Sequence, residues 1–358
     1  MMELAADIIV SGYTLEERIG AGAAGEVWRA HYGDQKVAIK FMSDVPDPNG
    51  KFARSIQAEV QALGLIQHPN IPHLFDYDLQ STRRYVVMTL AEGMSWDVLI
   101  ASGAAFNLRL DARLELLRQI ADALTAVHQQ GIIHRDVKPG NIRGTQHPML
   151  LDFGVAIRQQ EMSTASSQVG TGLYMPPLGD ALDEHSDTFG FAIVAYEMLF
   201  GRHPFYDPAN PPTLLDETRR MTTLRLRQHD WYAPTRLNVA EVPTDLRGVD
   251  LGRLEAMFVR AFGPRHSRWP DLEAFLQALR ETVLTPENAP YLDQARPPKF
   301  DEGEALKQAH YTDHALAEHE ATQHPNSPNR QRLFWSGLMV AVILFSLVWL
   351  LIMTHYTI

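Results

Sequence analysis

Cysteine is absent from the 358 residues. Disulfides, thiolate-bound zinc, iron–sulfur clusters and thiol catalysis are therefore excluded, and a thiol-free chain fits a reducing compartment. A cationic excess is missing too: 32 Lys and Arg stand against 43 Asp and Glu, a formal net charge of −11. With no basic block, the chain lacks the electrostatic footprint of a nucleic-acid binder, and no nucleic-acid partner is expected. The opening residues Met1-Met2-Glu3-Leu4-Ala5-Ala6-Asp7 carry acids where a secretion signal carries Lys or Arg. No internal repeat is visible. The 45% apolar and 21% charged residues are an ordinary globular mixture, enough for one large domain or two small ones.

Long hydrophobic runs are lacking everywhere but at one place. Residues 333–353 carry no charge, and only Ser336, Gly337 and Ser346 interrupt the apolar run. As a helix this stretch is about 31 Å long at ~1.5 Å per residue, the thickness of a bilayer core. Trp335, Trp349 and Tyr356 stand near its ends as interfacial aromatics do. Arg330 and Arg332 precede it, and the tail 354–358 has neither Lys nor Arg. The positive-inside rule then keeps residues 1–332 in the cytoplasm, so the expectation is a single-pass anchor in the inner (cell) membrane with a short extracytoplasmic tail. Gly337 and Ala341 have the small-xxx-small spacing of a helix–helix contact, which allows a homodimer. Residues 284–332, with Pro286, Pro290, Pro297, Pro298, Pro325 and Pro328, read as a flexible linker. Its His310, His314, His319 and His324 lack the framing carboxylate motif of a zinc protease and read as solvated.

The part before the linker changes character once. Up to about residue 92 the pattern is strand-like, in runs such as 26–30, 36–41 and 85–88, interrupted by one helical stretch at 52–66. Beyond 95 the periodicity is helical, as in 110–129 and 188–199. This gives an α+β architecture: a small β-rich lobe over about 10–92 and a larger helical lobe over about 93–283.

Four motifs carry chemistry. Gly20-Ala-Gly22-Ala-Ala-Gly25 is a glycine loop whose backbone N–H groups approach phosphate oxygens with no Cβ in the way. A dinucleotide-binding loop opens directly into a helix, whereas the residues after this one read as a strand, so that reading fails. Val37-Ala38-Ile39-Lys40 then places one Lys in an apolar strand, and Glu59 follows 19 positions later on the predicted helix. His134-Arg135-Asp136-Val137-Lys138-Pro139-Gly140-Asn141 holds a carboxylate, two cations and an amide within eight residues. Asp152-Phe153-Gly154 follows, after the apolar Met149-Leu150-Leu151.

In this order and spacing, the four motifs resemble the signature of protein kinases, and the chain looks like a bacterial form of the eukaryotic-like (Hanks-type) Ser/Thr protein kinases. The resemblance covers residues 10–283 and implies a two-lobed fold that binds ATP with Mg2+ or Mn2+ and acts on protein substrates. It further implies that Gly20, Gly22 and Gly25 drape the phosphates, with Ile19, Val27 and Ala38 against the adenine. Met88 matches the gatekeeper, and the backbones of Thr89 and Ala91 match the hinge. Lys40 would hold the α- and β-phosphates and be held by Glu59. Asp152 and Asn141 would bind the metal, Asp136 would accept the substrate proton, and Lys138 would steady the γ-phosphate. Asp187 matches the helix acid that braces the catalytic loop.

Arg135 marks kinases whose activation loop orders on phosphorylation, and the loop offers Ser163, Thr164, Ser166, Ser167 and Thr171. Two positions depart from the pattern: Gly172 stands where Pro is usual, and Leu178 where a closing Glu is usual. That Glu ordinarily pairs with the residue matching Arg268, so either Asp180, Asp183 or Glu184 substitutes or Arg268 is exposed. The reading is a membrane-anchored, autophosphorylating Ser/Thr kinase; the alternative is a pseudokinase scaffold that binds nucleotide and recruits partners at the membrane.

Overall fold

Alternation along one strand sorts the N-terminal lobe into two apolar layers. In β4 (Gln35–Met42) the side chains of Val37, Ile39 and Phe41 join Leu15, Trp28 and Val87 on one face. Ala38 and Met42 turn the other way, toward Val86 and Met88 and the main core, the period-two consequence of a pleated strand. The computed structural model describes residues 4–22, 25–42, 50–81, 83–158, 174–177, 180–205 and 242–285, all of them within the compact unit Met1–Glu302. β4 is central in a six-stranded antiparallel sheet with β1 (Ile9–Val10), β2 (Tyr13–Gly22), β3 (Gly25–Tyr32), β5 (Leu74–Asp78) and β6 (Tyr85–Thr89), in the order β1-β2-β3-β4-β6-β5. The pairing sets Ala38 opposite Met88 and Lys40 opposite Val86.

Helix α1 (Lys51–Leu65) connects β4 to β5. Its buried Ile56, Glu59, Val60 and Leu63 recur at helical spacing and form one inward stripe. A buried Glu in that stripe needs a partner, and its position faces the lysine of β4.

The second lobe is helical: α2 (Trp96–Ala101), α3 (Leu110–Gln129), α4 (Glu184–Phe200), α5 (Leu251–Phe262) and α6 (Leu272–Val283). Two short antiparallel pairs frame the intervening loops, β7 (Ile132–Ile133) with β10 (Ile157–Arg158) and β8 (Ile142–Arg143) with β9 (Met149–Leu150). Every residue of α4 from Ser186 to Phe200 is buried, as befits a helix packed on all sides. Aspartates cap three helices: Asp183 accepts from the His185 N–H, Asp250 from Arg253 and Asp271 from Ala274. Gly201, at φ 68°, ends α4 by donating to the Glu197 carbonyl, the left-handed stop that glycine adopts at least cost. At the far end of α3 the buried Arg113 pairs with Asp245 and donates to the Met198 carbonyl at 2.9 Å.

The two-lobed expectation holds. Among the described residues no helix is long and apolar enough to cross a membrane. The 333–353 segment, most of the 284–332 linker and the loop residues 159–173 lie outside the described residues, as do Gly172 and Leu178.

Candidate functional site

Lys40, Glu59 and Asp152 come from a strand, a helix and a loop, and they meet at one nitrogen. Lys40 Nζ lies 2.7 Å from Glu59 Oε2 and 3.2 Å from Asp152 Oδ1. Burial works against the ammonium, but the two carboxylates outweigh it and hold the Lys40 pKa above the ordinary lysine value. The Lys40 charge holds the Asp152 carboxyl below its usual range against the opposing effect of burial. Burial pushes Glu59 up, and Lys40 pulls it back. The cluster is thus a cation held by two acids, ready to be shared with an anionic ligand.

Asp152 itself sits at φ 62°, a left-handed conformation that few residues other than glycine adopt. The next residues explain how it is held. Phe153 is fully buried with its ring edge against His134, centroids 4.7 Å apart. At Gly154 an added Cβ would collide with Ser55 Oγ on α1, so glycine there lets the loop close on the helix that carries Glu59.

The loop containing Asp136 is fixed from beneath. Asp187, buried on α4, accepts from the backbone N–H of His134 and of Arg135, each at 2.8 Å. It also meets His128 Nε2 at 2.8 Å. Arg135 takes φ 67° as the chain bends over this carboxylate. Past the bend, Asn141 Nδ2 donates to both the backbone oxygen and Oδ2 of Asp136, each at 2.8 Å. Lys138 Nζ lies 2.8 Å from Asp136 Oδ2. With its amide nitrogen so used, Asn141 keeps its amide oxygen as an acceptor. An amide oxygen and the Asp152 carboxylate are the hard donors that suit Mg2+ or Mn2+, so the residues present fit a divalent cation.

The adenine-facing expectations fall on one side of the sheet. Ile19 and Val27 pack with Ala38 and Met88 against the main core, and Gly20 stands opposite Val27. Gly22 pairs with Gly25, at the tip of the β2–β3 hairpin. Thr89 ends β6, its N–H given to the His73 carbonyl at 3.0 Å, and Ala91 follows two residues on. The phosphorylation candidates Ser163, Thr164, Ser166, Ser167 and Thr171 lie outside the described residues.

The question left open by Leu178 has an answer. Arg268 is buried, and its Nη1 lies 2.7 Å from Asp180 Oδ2; of the three candidate acids Asp180 is its partner. Sequence reasoning missed other parts of the site. His128 joins Asp187 across 59 positions, and Tyr174 donates to the buried Glu197 at 2.9 Å. Gly190 lets Val137 and Tyr174 rest on α4: a Cβ there would lie 2.9 Å from one backbone oxygen and 3.1 Å from the other. No local motif marks these contacts; only the fold brings the partners together.

Comparison with known proteins agrees with this geometry. The relatives include the serine/threonine-protein kinase Pkn1 of Myxococcus xanthus, 32% identical over 209 residues, which cover 54% of this chain and 30% of that protein. Another is the serine/threonine-protein kinase PknA of Mycobacterium tuberculosis, 30% identical over 213 residues, 55% of this chain and 49% of PknA. The chain therefore spans less than half the length of these relatives. The crystal structure of the M. tuberculosis PknI kinase domain superposes with a TM-score of 0.55 at 23% identity, covering 79% of this chain and 100% of that one; at that identity it speaks for the fold. A family model described as the protein kinase domain matches residues 13–249, well over half of the sequence and every motif of the site, and the chain belongs to that family.

Proposed function

We propose that this chain is an ATP-dependent Ser/Thr protein kinase, anchored in the inner (cell) membrane through residues 333–353 with residues 10–283 on the cytoplasmic side. The observation that carries the reading is the contact of Lys40 with both Glu59 and Asp152, formed while Asp136 is held by Asn141 and Lys138. Lys40, kept charged by its two acids, would bind the nucleotide phosphates, and Asp152 with the Asn141 amide oxygen would hold the divalent cation. The cation supplies charge neutralisation at the transferring phosphate. Asp136 would orient the substrate hydroxyl and take its proton, and Lys138 beside it would bear on the charge that develops. Phosphorylation within 163–171, carried out by a second copy of the chain, would order the loop through Arg135. The Asp180–Arg268 pair supports an intact substrate side despite Leu178.

The test is transfer of labelled phosphate from ATP, with Mg2+ or Mn2+, to the chain itself and to a generic basic protein, with Asp152→Asn as control. Label in the wild type alone is the expected outcome. Nucleotide binding with no transfer would overturn the kinase reading in favour of a scaffold.

A further inference from the structure

We propose that Arg265, beside Arg268, is a positioning residue for the protein substrate: the two guanidiniums grip Asp183 and Asp180 and so fix the segment that walls the cleft next to Asp136. This rests on the kinase reading above and extends it to how the substrate side is built.

The turn 264–268 enters the core from the end of α5. Arg268 donates through Nε to the Gly263 carbonyl at 2.7 Å and lies over the Phe189 ring, 4.9 Å from its centroid, with Asp180 at 2.7 Å. Arg265, three residues earlier, forms an ion pair with Asp183 and donates through Nη1 to the Ala181 carbonyl at 3.3 Å. Three of the four residues from Asp180 to Asp183 are therefore tied to this one turn. The fourth, Leu182, lines a narrow cleft with Val137, Tyr174, Met175 and Pro176, and Asp136 opens into the same cleft. The two charges thus determine how closely Leu182 approaches the residue expected to meet the acceptor hydroxyl.

Asp183 reaches the catalytic loop by a second route. It caps α4, accepting from the His185 N–H at 3.1 Å, and Ser186 Oγ donates to its carbonyl at 2.5 Å. One residue further on, Asp187 holds the N–H groups of His134 and Arg135. The cap bonds are independent of Arg265, so loss of the clamp charge frees the cleft wall while α4 and the Asp187 floor of the loop stay in place. None of these contacts touches Lys40, Glu59 or the glycine hairpin, so nucleotide binding is insulated from the clamp.

Arg265 is about a third exposed, at 35%, so its replacement leaves the fold standing. The experiment compares the full-length chain with Arg265→Gln, Asp183→Asn and Arg265→Lys. The probe is a fluorescein-labelled peptide with one Ser or Thr acceptor, drawn by binding from a degenerate library. Asn keeps the helix cap while losing the charge. The expected result is a KM for peptide raised about tenfold in Arg265→Gln and in Asp183→Asn, with kcat and the KM for ATP within about twofold of wild type. The double variant should be no worse than either single one, and Arg265→Lys should recover most of the loss. An unchanged peptide KM, or a KM for ATP that rises in step with it, would overturn the proposal. Peptide affinity is read in parallel by anisotropy. A wild type that binds peptide without transferring phosphate would refute the kinase reading alone, the affinities of the variants still deciding the clamp; absence of both binding and transfer would refute both.

Discussion

Asp152 is under two opposed influences, the desolvation that favours its neutral form and the Lys40 charge that favours the anion; the charge prevails. Because its folded pKa lies below the unfolded value, the ionised carboxylate contributes stability that is complete above the ordinary aspartate range. That contribution is lost as the pH falls through the lower folded value. Lys40→Met removes the cause and leaves burial, which acts the opposite way on Asp152 and on Glu59 alike. The stability gap between wild type and Lys40→Met should therefore be widest near neutral pH and should narrow on acidification. Urea midpoints measured from pH 7 down to about 3.5 test this; a gap that widens in acid would contradict it.

Among the elements, α4 is the one on which most of the site depends. It carries Asp187 under the loop that holds Asp136, Glu197 under Tyr174, and Gly190 between the Val137 and Tyr174 backbones. In a free helix Gly→Ala gains up to about 1 kcal/mol. Here the added methyl meets two backbone oxygens, so Gly190→Ala should instead cost about 1–3 kcal/mol. For a domain of this size the thermal midpoint should drop by several degrees. A rise in midpoint would show that the loop does not rest on α4 as described.

Much of this scale was readable beforehand. The run 110–129 emerges as α3 with the same limits, and 52–66 as α1 shifted by one residue, because both bury a single clean stripe. The predicted helix at 188–199 grows to Glu184–Phe200, since a helix buried all round has no periodicity at its start and its beginning is set by the Asp183 cap. Strand β5, Leu-Phe-Asp-Tyr-Asp, gave no apolar run: it is an edge strand with Phe75 and Tyr77 exposed. At the site, motifs closed within a few residues were legible, and the departure at Leu178 narrowed the partner of Arg268 to three acids, of which the fold selects Asp180; His128–Asp187 was not legible as a pair, since no local pattern encodes a partner 59 positions away.

At the scale of the whole chain, the proposal joins a kinase domain to a membrane by way of the 284–332 linker. Deleting 333–353 should move the protein from the membrane fraction to the soluble fraction. Autophosphorylation per molecule should then slow at matched bulk concentration, because confinement raises the concentration of chains for one another. Equal rates would remove transfer between copies from the account. The net charge of −11 adds a second expectation at this scale: an acidic surface gains nothing from anionic lipid, so association should follow the apolar segment and not the lipid charge.

Arg135 and Asp152 both hold left-handed backbone, at φ 67° and 62°, a conformation that costs an L-residue about 1–2 kcal/mol. Selection therefore pulls on these two codons in opposite directions. In a library sorted only for abundance, glycine at position 152 would relieve the strain and give up the Lys40 pair, so the two residues would compete there. The same library sorted for phosphate transfer would keep Asp alone. Lineages that drift from catalysis toward scaffolding would be expected to record that change first at the sites where folding and chemistry disagree.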